Sequence, residues 1–215
     1  MKIATLSILV AAAALSAGCA NPDRSRDLNN PKISALVTAQ QVCSNCHGVN
    51  GVSVSPNFPI LAAQTEPYLV AQLTAFRSHG RHDPAGFEYM WGISRSLTDD
   101  QIKGLAAYYS GQAPARETIE GDRSRFDAGK SIFEKGVSAA GVPACASCHG
   151  DKGQGNADFP RIAGQHANYL VKQLVVFQRT EERPEEGVIM KTVAHKLTGK
   201  DIDEVADYLQ AMPSL

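Results

Sequence analysis

Apolar residues recur at helical spacing in four stretches of the chain, and the four form two matching pairs. Leu69, Leu73 and Phe76 stand at i, i+4 and i+7, and Leu170, Leu174 and Phe177 repeat that arrangement about a hundred residues later. Further on, Ile102, Leu105, Ala106 and Tyr109 fall at i, i+3, i+4 and i+7, as do Ile202, Val205, Ala206 and Leu209. Each set covers one face of a 3.6-residue turn and predicts an amphipathic helix. Thr98 followed three residues later by Gln101 predicts a capping box at the start of the third. No alternating run of useful length reads as a strand, so the pattern predicts an all-α fold.

The pairing extends well beyond these helices. CSNCHG at 43–48 returns as CASCHG at 145–150, FPILAAQ at 58–64 as FPRIAGQ at 159–165, and YLVAQLTAF at 68–76 as YLVKQLVVF at 169–177. MWGISRSLTDDQIKGLAAYY at 90–109 returns as MKTVAHKLTGKDIDEVADYL at 190–209, with order kept and offsets drifting only from 102 to 100. An internal repeat of this kind predicts two tandem domains. We place the first at residues 33–112 and the second at 125–215. The linker, 113–124, lies where charged and small residues replace apolar periodicity. Units this small bury a limited share of their surface, which a large apolar cofactor inside each would remedy.

Residues 1–18, MKIATLSILVAAAALSAG, carry Lys2, an apolar run and then small residues, the signature of an export signal. The run is too short and too rich in alanine for a permanent membrane span. It leads directly into Cys19 through LSAGC, which resembles a bacterial lipoprotein processing site, with Ser16 where Leu is more usual. Acyl chains on Cys19 would anchor the protein to a membrane, and the polar, turn-rich residues 19–32 would serve as its tether. Charge adds little. With 21 basic and 22 acidic residues, balanced in each half, nothing points to nucleic acid or to an electrostatic membrane patch.

The chemistry lies in the two Cys-x-x-Cys-His segments. Zinc would need four ligands, usually from thiol pairs about 15–20 residues apart, whereas here the pairs are a hundred residues apart, one in each repeat. A thioredoxin-like site belongs beside a βαβ pattern, which is absent, and a plain disulfide leaves both histidines unexplained. Covalent haem accounts for all three residues. Two thiols three apart lie on one side of a helical turn and can form thioethers, while the adjacent imidazole can bind iron. Cys43, Cys46 and His47 are therefore expected to hold one haem c, and Cys145, Cys148 and His149 a second. Of five cysteines, Cys19 alone is left over.

The sixth iron ligand decides between electron transfer and chemistry at the metal. Met90 and Met190 occupy equivalent repeat positions, 43 and 41 residues after their histidines, and Met212 has no counterpart. A methionine repeated in register ahead of a Leu-Thr helix start is read as an axial ligand. His79, His82, His166 and His195 are each confined to one repeat and are read as solvated surface groups, with His82 the alternative ligand for the first haem. An iron-binding imidazole needs an acceptor for its other nitrogen, and the carbonyls of Pro59 and Pro160 are the natural ones. Tyr68, Gln72, Arg81, Tyr169, Gln173 and Arg161 are candidates for haem edges or propionates.

With CxxCH, FPxxAxQ, YLxxQL, a methionine before a Leu-Thr helix and an Ala-x-Tyr ending in two copies, residues 33–212 resemble the dihaem cytochrome c4 family. The resemblance implies two class I cytochrome c domains packed face to face, propionate edges close together, passing single electrons in a bacterial periplasm. Family members donate to terminal oxidases, and related dihaem subunits serve flavin-dependent sulfide dehydrogenases. SHGRHDPAGFEYM in the first unit and the acidic TEERPEEGVIM in the second depart from the usual pattern. The expected role is a non-enzymatic electron carrier for a terminal oxidase or reductase, probed against a dehydrogenase subunit, a dihaem peroxidase or a thiosulfate dehydrogenase. The last of these uses an axial cysteine, and neither repeat has one to spare.

Overall fold

A computed structural model describes residues 25–81, 83–84, 86–114, 123–179 and 187–212. The export signal, Cys19 and His82 lie outside the described residues, as does most of the linker. In the first unit α1 (Ala35–Thr38) runs through a π-helical turn, Ala39–Cys43, into α2 (Ser44–His47). There follow α3 (Glu66–Arg77), a second π turn at Gly86–Met90 leading into α4 (Trp91–Ser94), and α5 (Asp99–Ser110). The second unit holds α6 (Phe126–Lys135), α7 (Ala146–His149), α8 (Ala167–Gln178), α9 (Val188–Ala194) and α10 (Gly199–Ala211). Two isolated bridges are the β-structure among the described residues, so the fold is all-α.

The helix starts follow local chemistry. Thr98 and Gln101 form the expected capping box on α5. Thr198 and Asp201 form its equivalent on α10, with the shorter Asp doing what Gln does in the first unit. Each satisfies two backbone N–H groups at a helix N-terminus. Pro67 stands in the first turn of α3, where its missing N–H is not needed.

In each unit the C-terminal helix crosses the N-terminal one at a point where side chains must be small. A Cβ added to Gly104 on α5 would lie 2.6 Å from the Cβ of Ala35. In the second unit the glycine has changed sides. A Cβ on Gly129 of α6 would lie 2.0 Å from the carbonyl oxygen of Glu204, the repeat equivalent of Gly104. Around these crossings Leu69, Leu97, Ile102, Leu105 and Tyr109 close one core, and Ile132, Phe133, Leu170, Val205 and Leu209 the other. Met212, without a counterpart in the first unit, is buried in the second core.

The units face each other through the FPxxAxQ loops, related by an approximate twofold. Gln64 Oε1 accepts from the Arg161 N–H at 2.6 Å, and its Nε2 donates to the Arg161 carbonyl at 3.0 Å. Gln165 does the same in reverse, with the Ile60 N–H at 2.9 Å and the Ile60 carbonyl at 3.0 Å. Both glutamines are buried. Each amide thus pairs with the backbone of one residue in the facing unit, as a neighbouring strand would.

Candidate functional site

α2 and α7 place their terminal histidines inward. His47 is buried, with Nδ1 2.9 Å from the Pro59 carbonyl; His149 is buried, with Nδ1 2.8 Å from the Pro160 carbonyl. A carbonyl can only accept, so the proton sits on Nδ1 and the Nε2 lone pair is left for a metal. Burial lowers the proton affinity of both rings, and the hydrogen bond to proline opposes this only in part. A neutral imidazole is the form that ligates iron. Phe58 meets the His47 ring edge-on at a centroid distance of 6.2 Å, and Phe159 meets His149 in the same way at 6.2 Å. Sequence reasoning passed over these phenylalanines, although their place before each proline was a visible signal.

The four thiols of the two motifs form no disulfide. Cys43 ends the first π turn and Cys46 lies three residues on in α2; Cys145 caps α7, which contains Cys148. Burial pushes the Cys43 and Cys145 thiols up to about 11, so they stay protonated rather than acting as thiolate nucleophiles. Met90 ends the second π turn and Met190 is the third residue of α9. Both are half-buried. Their neighbours Phe87, Tyr89, Val188 and Ile189 are large apolar side chains left exposed. Tyr89 reaches the edge of Phe58 at 6.4 Å, and through that ring the Met90 segment is brought beside His47.

Among the remaining candidates, Arg81 is buried at the meeting of the two units. It donates to Asp83 through Nε at 2.8 Å, to Gln72 of its own unit, and to Gln173 of the other unit at 2.9 Å. Its guanidinium also lies over the Phe76 ring, 4.4 Å from the centroid. The Nε2 of Gln173 is buried without a hydrogen-bond partner. Arg161 enters the interface through its backbone, gripped by Gln64. His79 and His195 are exposed, as expected. His166 corrects the sequence reading: it is buried between the units, with Nε2 3.0 Å from both the carbonyl and the hydroxyl of Ser53.

The family model described as Cytochrome c matches residues 33–111 and again 126–213. The chain is 38% identical over 180 residues to cytochrome c4 of Azotobacter vinelandii, covering 80% of this chain and 84% of that protein. It is 30% identical over 173 residues to a thiosulfate dehydrogenase electron acceptor of Stutzerimonas stutzeri, covering 79% and 78%. Among solved structures, reduced recombinant cytochrome c4 from Pseudomonas stutzeri superposes with a TM-score of 0.73 at 36% identity, over 83% of this chain and 96% of that one.

Proposed function

The chain belongs to the cytochrome c family, on its dihaem cytochrome c4 branch, and we propose how its residues serve the two haems such a carrier holds. It is an electron-transfer protein, not an enzyme. Cys43 and Cys46 attach the first haem c and Cys145 and Cys148 the second; His47 and Met90 bind one iron, His149 and Met190 the other. The observation that carries this assignment is the matched pair of Nδ1–H bonds to Pro59 and Pro160, which leaves both Nε2 atoms bare.

The residues fit the group. The paired thiols are unbridged, and the apolar side chains flanking Met90 and Met190 are of the kind a flat hydrophobic macrocycle covers. The unpartnered Gln173 amide beside Arg81 suits a haem carboxylate. Bound haem c would supply a one-electron centre, and a methionine thioether together with an imidazole as its ligands would favour the reduced state. The protein's part is to hold the imidazoles neutral and oriented, exclude water through the two cores, and keep the units in register through Gln64 and Gln165. With His47 and Met90 holding one iron and His149 and Met190 the other, neither iron would offer a site to a small molecule.

We place the protein in the periplasm, exported by residues 1–18 and anchored through lipid on Cys19, with 19–32 as tether, 33–112 and 125–215 as the haem domains and 113–124 between them. Redox proteins are its partners. The likeness to a thiosulfate dehydrogenase electron acceptor favours a dehydrogenase as donor, with a terminal oxidase or reductase downstream. The oxidised protein should show a weak near-infrared sulfur-to-iron band for both haems, one half of which disappears in Met90→Ala and the other in Met190→Ala. A bis-histidine or high-spin wild-type spectrum overturns the ligand set. Membrane attachment is tested separately with Cys19→Ser, which should release the protein from membranes; unchanged partitioning refutes the anchor.

A further inference from the structure

The loop that carries Pro59, and with it the hydrogen bond to His47, is pinned from the opposite unit at two places. Gln165 grips Ile60 through both amide atoms. The next residue, His166, reaches Ser53. Since the Ser53 carbonyl can only accept, the His166 proton sits on Nε2, which donates to that carbonyl and to the Ser53 hydroxyl, each at 3.0 Å. The hydroxyl in turn donates to the Phe58 carbonyl at 2.6 Å. Ser53, Gln165 and His166 are all buried. The segment from Ser53 to Ile60 is thus tied across its base by Ser53 and Phe58 and held at both ends by consecutive residues of the second unit.

The reciprocal arrangement is incomplete. Gln64 grips Arg161, but the repeat equivalent of His166 is Thr65, whose hydroxyl is buried without a hydrogen-bond partner. The equivalent of Ser53 is Gly155, which sits against the Thr65 methyl and the Phe159 carbonyl and has no hydroxyl to offer either. Among the described residues, the Pro160 loop is therefore gripped by the first unit at one place, through Gln64.

We propose that His166 is a positioning residue for His47: a side chain of the second unit sets the hydrogen bond that tunes the first haem's axial imidazole. This rests on the reading that His47 binds the first iron. An imidazole whose Nδ1–H is firmly bonded is the stronger donor to its metal and favours oxidised iron. Loosening the Pro59 loop weakens that bond, and the first haem's reduction potential rises while the second's does not.

The test uses the full holoprotein, with the two potentials resolved by spectroelectrochemistry and the axial histidine resonances of each haem followed by paramagnetic proton NMR. His166→Phe keeps bulk and removes the donor; His166→Gln places an amide N–H near the same point. Ser53→Ala is the milder second variant should the phenylalanine disturb folding, and Thr65→Val is the reciprocal control. The expected result is an upward shift of the first potential with displaced His47 resonances in His166→Phe, a smaller shift of the same sign in Ser53→Ala, wild-type values in His166→Gln, and no change in Thr65→Val. Equal movement of both potentials, or of neither, overturns the proposal. Absence of a hyperfine-shifted His47 imidazole in the wild type would overturn the ligand assignment beneath it, a separate and visible failure.

Discussion

Replacing Gln165 by alanine removes two hydrogen bonds to the Ile60 backbone at once. A net contribution of roughly 1 kcal/mol per bond puts the loss near 2 kcal/mol. If the exposed Ile60 N–H and carbonyl found no replacement, their desolvation would take the cost to about 4 kcal/mol. The cavity beside them, lined by Ile60, Gln64, Arg161 and Gln165, is only about 10 Å³, at the lower limit for one water. Truncation itself opens room for water, so the lower figure is expected. Hydrogen exchange reads the result directly, because the Ile60 amide proton is donated to Gln165 and the Arg161 amide proton to Gln64. A loss of about 2 kcal/mol corresponds to roughly thirtyfold faster exchange. It should appear at Ile60 in Gln165→Ala and also at Arg161 if the interface opens as one body. Gln165→Glu sharpens the test: one carboxylate oxygen can still accept from the Ile60 N–H, but the other faces the Ile60 carbonyl with no proton to give. It should be at least as damaging as alanine at neutral pH. Exchange at Ile60 unchanged in both variants, or glutamate tolerated better than alanine, would refute the pairing.

Arg81→Leu strips buried Asp83 of its guanidinium and should cost about 3–5 kcal/mol in denaturant unfolding; the double variant Arg81→Leu/Asp83→Leu should recover most of it, and no recovery would argue that the charges act independently. Gly129→Ala drives a methyl into the Glu204 carbonyl and should cost about 1–3 kcal/mol or more in thermal melts, whereas Gly199→Ala, with nothing within 4 Å of the added carbon, should be neutral or stabilising. Burial lowers the His166 pKa, the Ser53 carbonyl opposing it. The unfolded chain therefore takes up this proton first as pH falls below about 6.5, and stability present above that pH is lost on descending toward the folded value. Urea midpoints measured against pH should show that slope in the wild type and lose it in His166→Gln; identical slopes would sink the linkage.

Much of this architecture was legible because covalent and capping chemistry fixes spacing. Cys-x-x-Cys-His, the Phe-Pro dipeptides and Thr98 with Gln101 are local in sequence, and the repeat displays each twice. What escaped was set by distant partners. His166 looks like any polar residue before a helix, since Ser53, the group that buries it, is 113 residues away. Gln64 and Gln165 read equally well as surface residues, because their acceptors and donors are backbone atoms of the facing unit, to which sequence is silent. Arg81 is charged and would ordinarily be solvated; its burial needs Gln72, Asp83 and Gln173 from both units together. The π turns ending at Cys43 and Met90 left no trace in the periodicity, one added residue in a turn being too small a change to see.

The asymmetries between the halves fall on the same side. Among the described residues, π turns occur in the first unit, leading into its cysteine pair and its methionine. Its proline loop is held twice by the other half, and its Arg81 guanidinium reaches across to Gln173, where the second unit has Glu181 and Glu182 in the corresponding stretch. The second unit has the bulkier aromatic core, with Phe126 and Phe133 packed against Tyr208. A repeat diverging under no constraint would scatter such differences over both copies. Their concentration means that the first site is completed by its neighbour, whereas the second is held chiefly by its own helices. Disturbing the interface should therefore change the environment of the first haem before the second, which gives a two-centre carrier a structural means of keeping its centres unequal.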